Sequence, residues 1–191
     1  MDGRQVTAYA DTSVFGGAYD PEFSESTSQF FELVDSGLCN LAISTVVVAE
    51  ILPAPLRVRT LLGRYAEKAR IVEVSESAEA LQTDYINCGA VVERALTDAL
   101  HVAIATVSEC DFIVSWNFKD IVNHRSVALF NEVNASHSYG QIGIYSPQEA
   151  IRRVRPSSGV HHVETSRTGI RPKTVGRKVK RRTAQILERT N

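Results

Sequence analysis

The chain predicts an α/β domain in which a parallel β-sheet is covered by helices on both faces. Two observations carry this expectation. Short apolar runs of strand length alternate along residues 1–151 with longer segments whose apolar residues recur every three or four positions. Strands separated by helices return in the same direction, which builds a parallel sheet buried on both sides. No internal repeat interrupts the alternation.

Each element has its source in local chemistry. QVTAYA (5–10) reads as a buried strand, and STSQFFELVDSG (26–37) as a helix with Phe30, Phe31, Leu33 and Val34 at helical spacing, stopped by Gly37. CNLAIS (39–44) is the second strand. TVVVAEIL (45–52) is separate from the helical stretch over 54–69, because Pro53 and Pro55 forbid one continuous helix. RIVEV (70–74) is a short strand. Ser75 caps a helix over 76–91. TDALHVAIATVSE (97–109) is an amphipathic helix with Leu100, Ala103, Ile104 and Val107 on one stripe. DFIVSW (111–116) is a strand, 120–135 a helical segment and IGIY (142–145) the last strand.

With 191 residues, 43% of them hydrophobic, the chain accommodates one packed domain of roughly 100–150 residues plus an appendage. No apolar run approaches the ~18–20 residues of a membrane span, and the first residues lack a signal peptide's basic flank and apolar stretch, so a cytoplasmic protein with no membrane partner is expected. Cys39, Cys88 and Cys110 are odd in number, widely spaced and set among apolar residues, a pattern of reduced core thiols rather than of disulfides or a zinc site. The formal charge of −1 conceals two unlike segments. Residues 152–191 hold 12 Lys+Arg against Glu164 and Glu188, a net of +10, which leaves residues 1–151 at −11. Near Ile151 a capped helical turn (Ser146, Pro147, Glu149) gives way to Pro/Ser/Gly-rich sequence, and GRKVKRRTAQILERT (176–190) makes at most a basic helix that forms on a partner. The expected organisation is a domain over 1–151 and a basic, disordered or partly helical extension over 152–191.

In open α/β sheets ligands bind beyond the carboxyl ends of the strands, so a polar residue directly after an apolar strand is a site candidate. Asp11 holds that place after the first strand. Glu50 is the lone acid on the apolar segment that begins at the end of the second, where a carboxylate is costly to bury without a cation or donors. Asp98 opens its helix, a position acids also favour for capping and dipole reasons. VSWNFKDI (114–121) comes after a strand and offers Asn117 and Asp120 with Ser115 nearby, residues that otherwise serve turns. Carboxylates converging at one sheet edge repel one another unless a hard divalent cation neutralises them, and Mg²⁺ or Mn²⁺ prefers such oxygen ligands. Asp11 would be the first ligand, with Thr12 and Ser13 supplying hydroxyl or backbone donors around it.

From about Thr7 to Ile151 the chain resembles the PIN-domain family, which includes the VapC-type ribonuclease toxins of toxin–antitoxin pairs. ADTSVF with Asp11, STVVVAEI with Glu50, TDALHVAIA with Asp98 and IVSWNFKDIVN with Asn117 and Asp120 carry the resemblance. It implies a Rossmann-like three-layer α/β/α fold, an acidic pocket for one or two Mg²⁺ or Mn²⁺ ions, and hydrolysis of single-stranded RNA. In toxin members it further implies homodimers and inhibition by a cognate antitoxin. The family's last acidic position is variable, and here either Asn117 or Asp120 fills it; an amide oxygen can ligate the ion without neutralising it. Under this reading Asp11, Glu50, Asp98 and Asp120 are catalytic, while Thr12, Ser13, Ser115 and Lys119 contact substrate. The charge of the extension, with Arg177, Lys178, Lys180, Arg181 and Arg182, reads either as an arm for RNA, since cationic contacts to phosphates release counterions, or as a tail that binds a partner or the ribosome or has no dedicated role.

Other chemistries fit less well. A serine nucleophile needs a histidine partner, and His101, His124 and His137 show no triad signature; His161 and His162 sit in the basic extension, and the five histidines lack ligand spacing. His101, three residues after Asp98, either points toward the pocket or, the commoner case, is a partly buried or surface histidine. Trp116 and Phe118 either pack the sheet edge or stack on a base. A haloacid-dehalogenase-like enzyme wants a second Asp where Ser13 stands, and a response-regulator receiver wants an acidic pair after the first strand. The alternative function is a non-catalytic PIN-like module that binds RNA or protein through an incomplete acidic pocket.

Overall fold

The computed structural model describes residues 5–91, 95–118, 121 and 124–155. Five strands form one fully parallel sheet: β1 (Thr7–Ala10), β2 (Asn40–Ser44), β3 (Arg70–Val72), β4 (Phe112–Val114) and β5 (Gly143–Tyr145), in the order β3-β2-β1-β4-β5. The register pairs Tyr9 with Ala42 on one side and Ala10 with Val114 on the other. Successive residues of β1 and β4 are buried although they point to opposite faces, which requires cover on both sides. The cover comes in two groups of mutually contacting helices. The first comprises α1 (Thr12–Gly17), α2 (Ser24–Asp35), α3 (Thr45–Ile51), α4 (Leu56–Ala66) and α8 (Pro147–Val154); the second comprises α5 (Glu76–Asn87), α6 (Leu96–Val107) and α7 (His124–Ser136). The expected α/β architecture is therefore present, with every expected strand and helix found within a few residues of its place.

Several ends are set as the sequence suggests. Helix α2 stops at Gly37, whose φ of +70° lets the N–H of Leu38 reach back to the carbonyl of Leu33 at 2.9 Å. Ser75 accepts from the N–H of Ala78, and Ser146 and Glu149 form a reciprocal capping box around Pro147. Two features depart from expectation. Helix α1 begins directly after β1 without a loop despite two glycines among its six residues, because Asp11 in extended conformation caps it. Helix α8 continues past Ile151 through Val154, burying Ala150 as it packs against α2. The cysteines also divide: Cys39 and Cys110 are buried, and burial lifts the Cys39 thiol to about 11, but Cys88 is exposed. Cys88 caps the C-terminus of α5 where the chain turns at Gly89 (φ +75°), which takes it out of the core that its apolar neighbours suggested. All three thiols are free.

Away from the sheet, Asp35 ties α2 to α4. It accepts from Lys68 Nζ at 2.6 Å, Arg64 Nη2 at 2.8 Å and the Tyr65 hydroxyl at 2.9 Å. These partners, the Lys68 hydrogen bond first, hold the Asp35 carboxyl below its usual range. A lowered folded-state value contributes stability above the ordinary carboxylate pKa of about 3.9 that is lost as pH falls through the lowered one. Both cations are largely exposed, which keeps the contribution small. Asp35→Asn should cost about 1 kcal/mol or less at neutral pH and nothing near pH ~2, read as the urea midpoint at each pH.

Candidate active site

Winding outward from β1, the chain lays β2 and β3 on one side and β4 and β5 on the other, so the strand order reverses between β1 and β4. The crevice beyond their carboxyl ends is where open α/β sheets bind ligands. Asp11 lies there at the end of β1, and Ser115 at the end of β4.

Asp11 is 4% exposed and held by two serines. Ser13 donates its backbone N–H (3.0 Å) and its hydroxyl (2.5 Å) to Oδ1, while the Ser115 hydroxyl donates to Oδ2 at 2.5 Å. Each hydroxyl is aimed by a backbone amide of the turn after β4: Trp116 N–H donates to Ser13 Oγ at 2.8 Å, and Asn117 N–H donates to Ser115 Oγ at 2.9 Å. Burial pushes the Asp11 carboxyl above its usual range, against the opposing effect of the Ser115 and Ser13 hydrogen bonds. Ser115 itself is fully buried, as a residue sandwiched between β4 and a carboxylate must be.

Glu50 sits near the C-terminal end of α3, half-buried, and receives two donors on the same oxygen, Oε2: the hydroxyl of Thr12 and Nε2 of His101 at 3.2 Å. Its carboxyl is held below the usual range, by the His101 hydrogen bond first. Thr12 thus serves Glu50, whereas its neighbour Ser13 serves Asp11, and the first turn of α1 connects the two acids. Asp98, half-buried in the first turn of α6, precedes His101 by three residues and so shares its helix face. The backbone amide of Asn117 joins the serine clamp, while Lys119, Asp120 and the basic residues Arg177, Lys178, Lys180, Arg181 and Arg182 lie outside the described residues.

His101 is the residue whose role the sequence understates. It is 3% exposed, yet it faces Glu50, and its other ring nitrogen meets the Tyr9 hydroxyl at 2.7 Å. The signal present in the sequence is a histidine one helical turn beyond Asp98 together with a lone tyrosine in the small-residue strand AYA. Trp116 resolves the other open choice in favour of packing: its ring stacks on Phe23 with centroids 4.3 Å apart, and Nε1 donates to Thr27 at 2.9 Å. Phe118 remains 49% exposed beside a half-open cavity of about 560 Å³ that Trp116, Tyr145 and Arg152 also line.

Among the described residues neither Asp11 nor Glu50 pairs with a lysine or arginine. Two acids at one sheet edge, without a lysine or arginine to compensate them and ringed by hydroxyl and amide donors, match the hard-oxygen donor chemistry of Mg²⁺ or Mn²⁺. The described residues alone supply no group of three or more His, Cys, Asp or Glu close enough to hold an ion.

No family model matches the chain, and no curated protein does. Among the solved structures similar to it are three toxin–antitoxin-type complexes. VapBC2 from Rickettsia felis, bound to a DNA fragment from its promoter, aligns at 15% identity over 74% of this chain and 98% of that chain, with a TM-score of 0.49. FitAB bound to an IR36 DNA fragment aligns at 16% identity over 74% and 95%, with a TM-score of 0.46. FitAcB from Neisseria gonorrhoeae aligns at 15% identity over 73% and 97%, with a TM-score of 0.47. Among the described residues no helix is long and apolar enough to cross a membrane.

Proposed function

We propose that this protein is a Mg²⁺- or Mn²⁺-dependent endoribonuclease that hydrolyses phosphodiester bonds of single-stranded RNA. The observation that carries the reading is the pair Asp11 and Glu50 at the reversal point of a parallel sheet, bridged by the first turn of α1 and paired, among the described residues, with no lysine or arginine. Asp11, Glu50 and Asp98, with Asn117 or Asp120, would hold the ion, which when bound supplies Lewis-acid stabilisation of phosphodiester charge and a more acidic water. The chain's own part is positional. Ser13 and Ser115 hold Asp11 in place, and the turn amides of Trp116 and Asn117 fix those hydroxyls. The expected products carry 5′-phosphate and 3′-hydroxyl ends.

The resemblance of the four acidic motifs extends the proposal to a cytoplasmic toxin of a toxin–antitoxin pair, with a cognate antitoxin and a homodimer as its partners. The basic extension, with Arg177, Lys178, Lys180, Arg181 and Arg182, would add phosphate contacts that the acidic remainder of the chain lacks. A second reading, an RNA- or protein-binding module without turnover, is favoured by one observation: the described residues form no three-membered metal-binding group. Cleavage of a mixed single-stranded RNA separates the two. The nuclease cuts with Mn²⁺, stops with EDTA and loses activity by at least about 10²-fold in the Asp98→Asn variant. A binding module retains RNA and releases no product under any of these conditions.

A further inference from the structure

We infer that His101 is a positioning residue that fixes the Glu50 carboxylate for a divalent cation, and that the buried chain Ser44–Tyr9–His101 exists to fix His101. The inference rests on the metal-dependent reading above.

The geometry forms a closed circuit. Ser44 caps α3, its hydroxyl oxygen accepting the Val47 N–H at 3.3 Å. The same oxygen lies 2.7 Å from the Tyr9 hydroxyl, which lies 2.7 Å from Nδ1 of His101. Nε2 of His101 then meets Glu50, which stands near the other end of the helix that Ser44 caps. The side chain of Glu50 is thus held from two directions, by the helix that bears it and by a three-residue chain anchored to that helix's own cap.

A neutral His101 imidazole gives one consistent placement of the protons. An ionised Glu50 offers no donor, so Nε2 of His101 must carry the proton and donate. Nδ1 is then an acceptor, the Tyr9 hydroxyl donates to it, and Ser44 donates to the Tyr9 oxygen while accepting from Val47. Every polar group in the chain is satisfied in this arrangement.

Energetics argue against a purely structural role. Ser44, Tyr9 and His101 are at most 3% exposed. Taking a hydroxyl, a phenol and an imidazole out of water yields at best a small net gain over apolar residues of the same shape. What the chain achieves that apolar residues could not is orientation. His101 and Thr12 both address Oε2 of Glu50, so Oε1 is the oxygen left open by these two donors. A carboxylate held by one oxygen with the other open is preorganised as a monodentate oxygen ligand.

The test is Mn²⁺ affinity by isothermal titration calorimetry on the full chain, with the thermal midpoint in EDTA recorded for each protein. His101→Gln places an amide nitrogen near the position of Nε2, whereas His101→Asn places one near Nδ1 and leaves Oε2 without that donor. His101→Asn is expected to bind Mn²⁺ about 10–100-fold more weakly than wild type, and His101→Gln to recover most of the loss. Tyr9→Phe, which keeps the ring and removes the hydroxyl that holds Nδ1, is expected to weaken binding about 10-fold with folding retained. Wild-type affinity in all three variants, whatever their midpoints, overturns the inference and leaves metal binding intact. Absence of Mn²⁺ binding by the wild-type protein overturns the metal-dependent reading itself and the inference with it.

Discussion

Replacing Asp11 with Asn is expected to lower kcat/KM for RNA cleavage by at least about 10³-fold while leaving the metal-free fold as stable as before, or more so. Loss of one charged ligand removes several kcal/mol of transition-state charge stabilisation, and about 4 kcal/mol corresponds to that factor. The fold should tolerate the change because Asn caps α1 as well as Asp does, its carbonyl keeping the Ser13 donors and the Ser115 hydroxyl turning to accept from the amide. Asp11→Ala, by contrast, should cost about 1 kcal/mol through the lost cap. The pH dependence identifies the cause. Burial raises the Asp11 carboxyl, so its contribution to stability is full below the ordinary value near ~4 and is lost as pH rises through the raised one. Glu50, held low chiefly by His101, contributes in the opposite sense, fully above the ordinary value and less as pH falls through its own. In EDTA the advantage of Asp11→Asn over wild type should therefore grow from pH ~4 toward pH ~8. Thermal midpoints that fall equally for Asn and Ala would contradict this account.

The adjacent glycines of α1 are expected to respond to alanine with opposite signs. A Cβ on Gly17 would stand 2.6 Å from both Cδ1 and Nε1 of Trp116 and 3.2 Å from Thr27 Oγ1. Trp116 cannot retreat cheaply, since Phe23 stacks on its ring and Thr27 holds its Nε1. Gly17→Ala should destabilise by about 1–3 kcal/mol. Because the displaced residue also supplies the amide that aims the Ser13 hydroxyl, the same variant should cleave RNA more slowly. Gly16 has open space where its Cβ would go, so Gly16→Ala should stabilise by about 0.5–1 kcal/mol through helix propensity. Chemical denaturation of the two single variants measures both signs at once.

Much of the fold was legible because its signals are local. Gly37 ends α2, Ser75 and Ser146 start helices, and Pro53 and Pro55 part α3 from α4, each through the backbone geometry of one or two residues. Asp11 was legible as an acid placed where an apolar strand ends, and Glu50 as the lone acid on the apolar segment that follows the second strand. His101 was not, because a histidine among Ala99, Val102 and Ala103 reads as a core residue until Tyr9, 92 positions away, is found against it. Helix α1 was hidden for the opposite reason. Its two glycines argue locally against a helix, and a carboxylate cap with the Trp116 ring packed on Gly17 overrides them. The exposure of Cys88 depended on the turn at Gly89, which side-chain composition does not record.

The serine clamp joins residues 104 positions apart, Asp11 from the opening strand and Ser115 from the fourth. Closing so long a loop is slow relative to local helix formation, and the central strand has its second neighbour only when β4 arrives. During translation the segment bearing Asp11, Glu50 and even His101 leaves the ribosome before the segment that completes the site. For the proposed ribonuclease, this order leaves the site incomplete on the nascent chain, which would spare the message being read until nearly all of the sheet has been made.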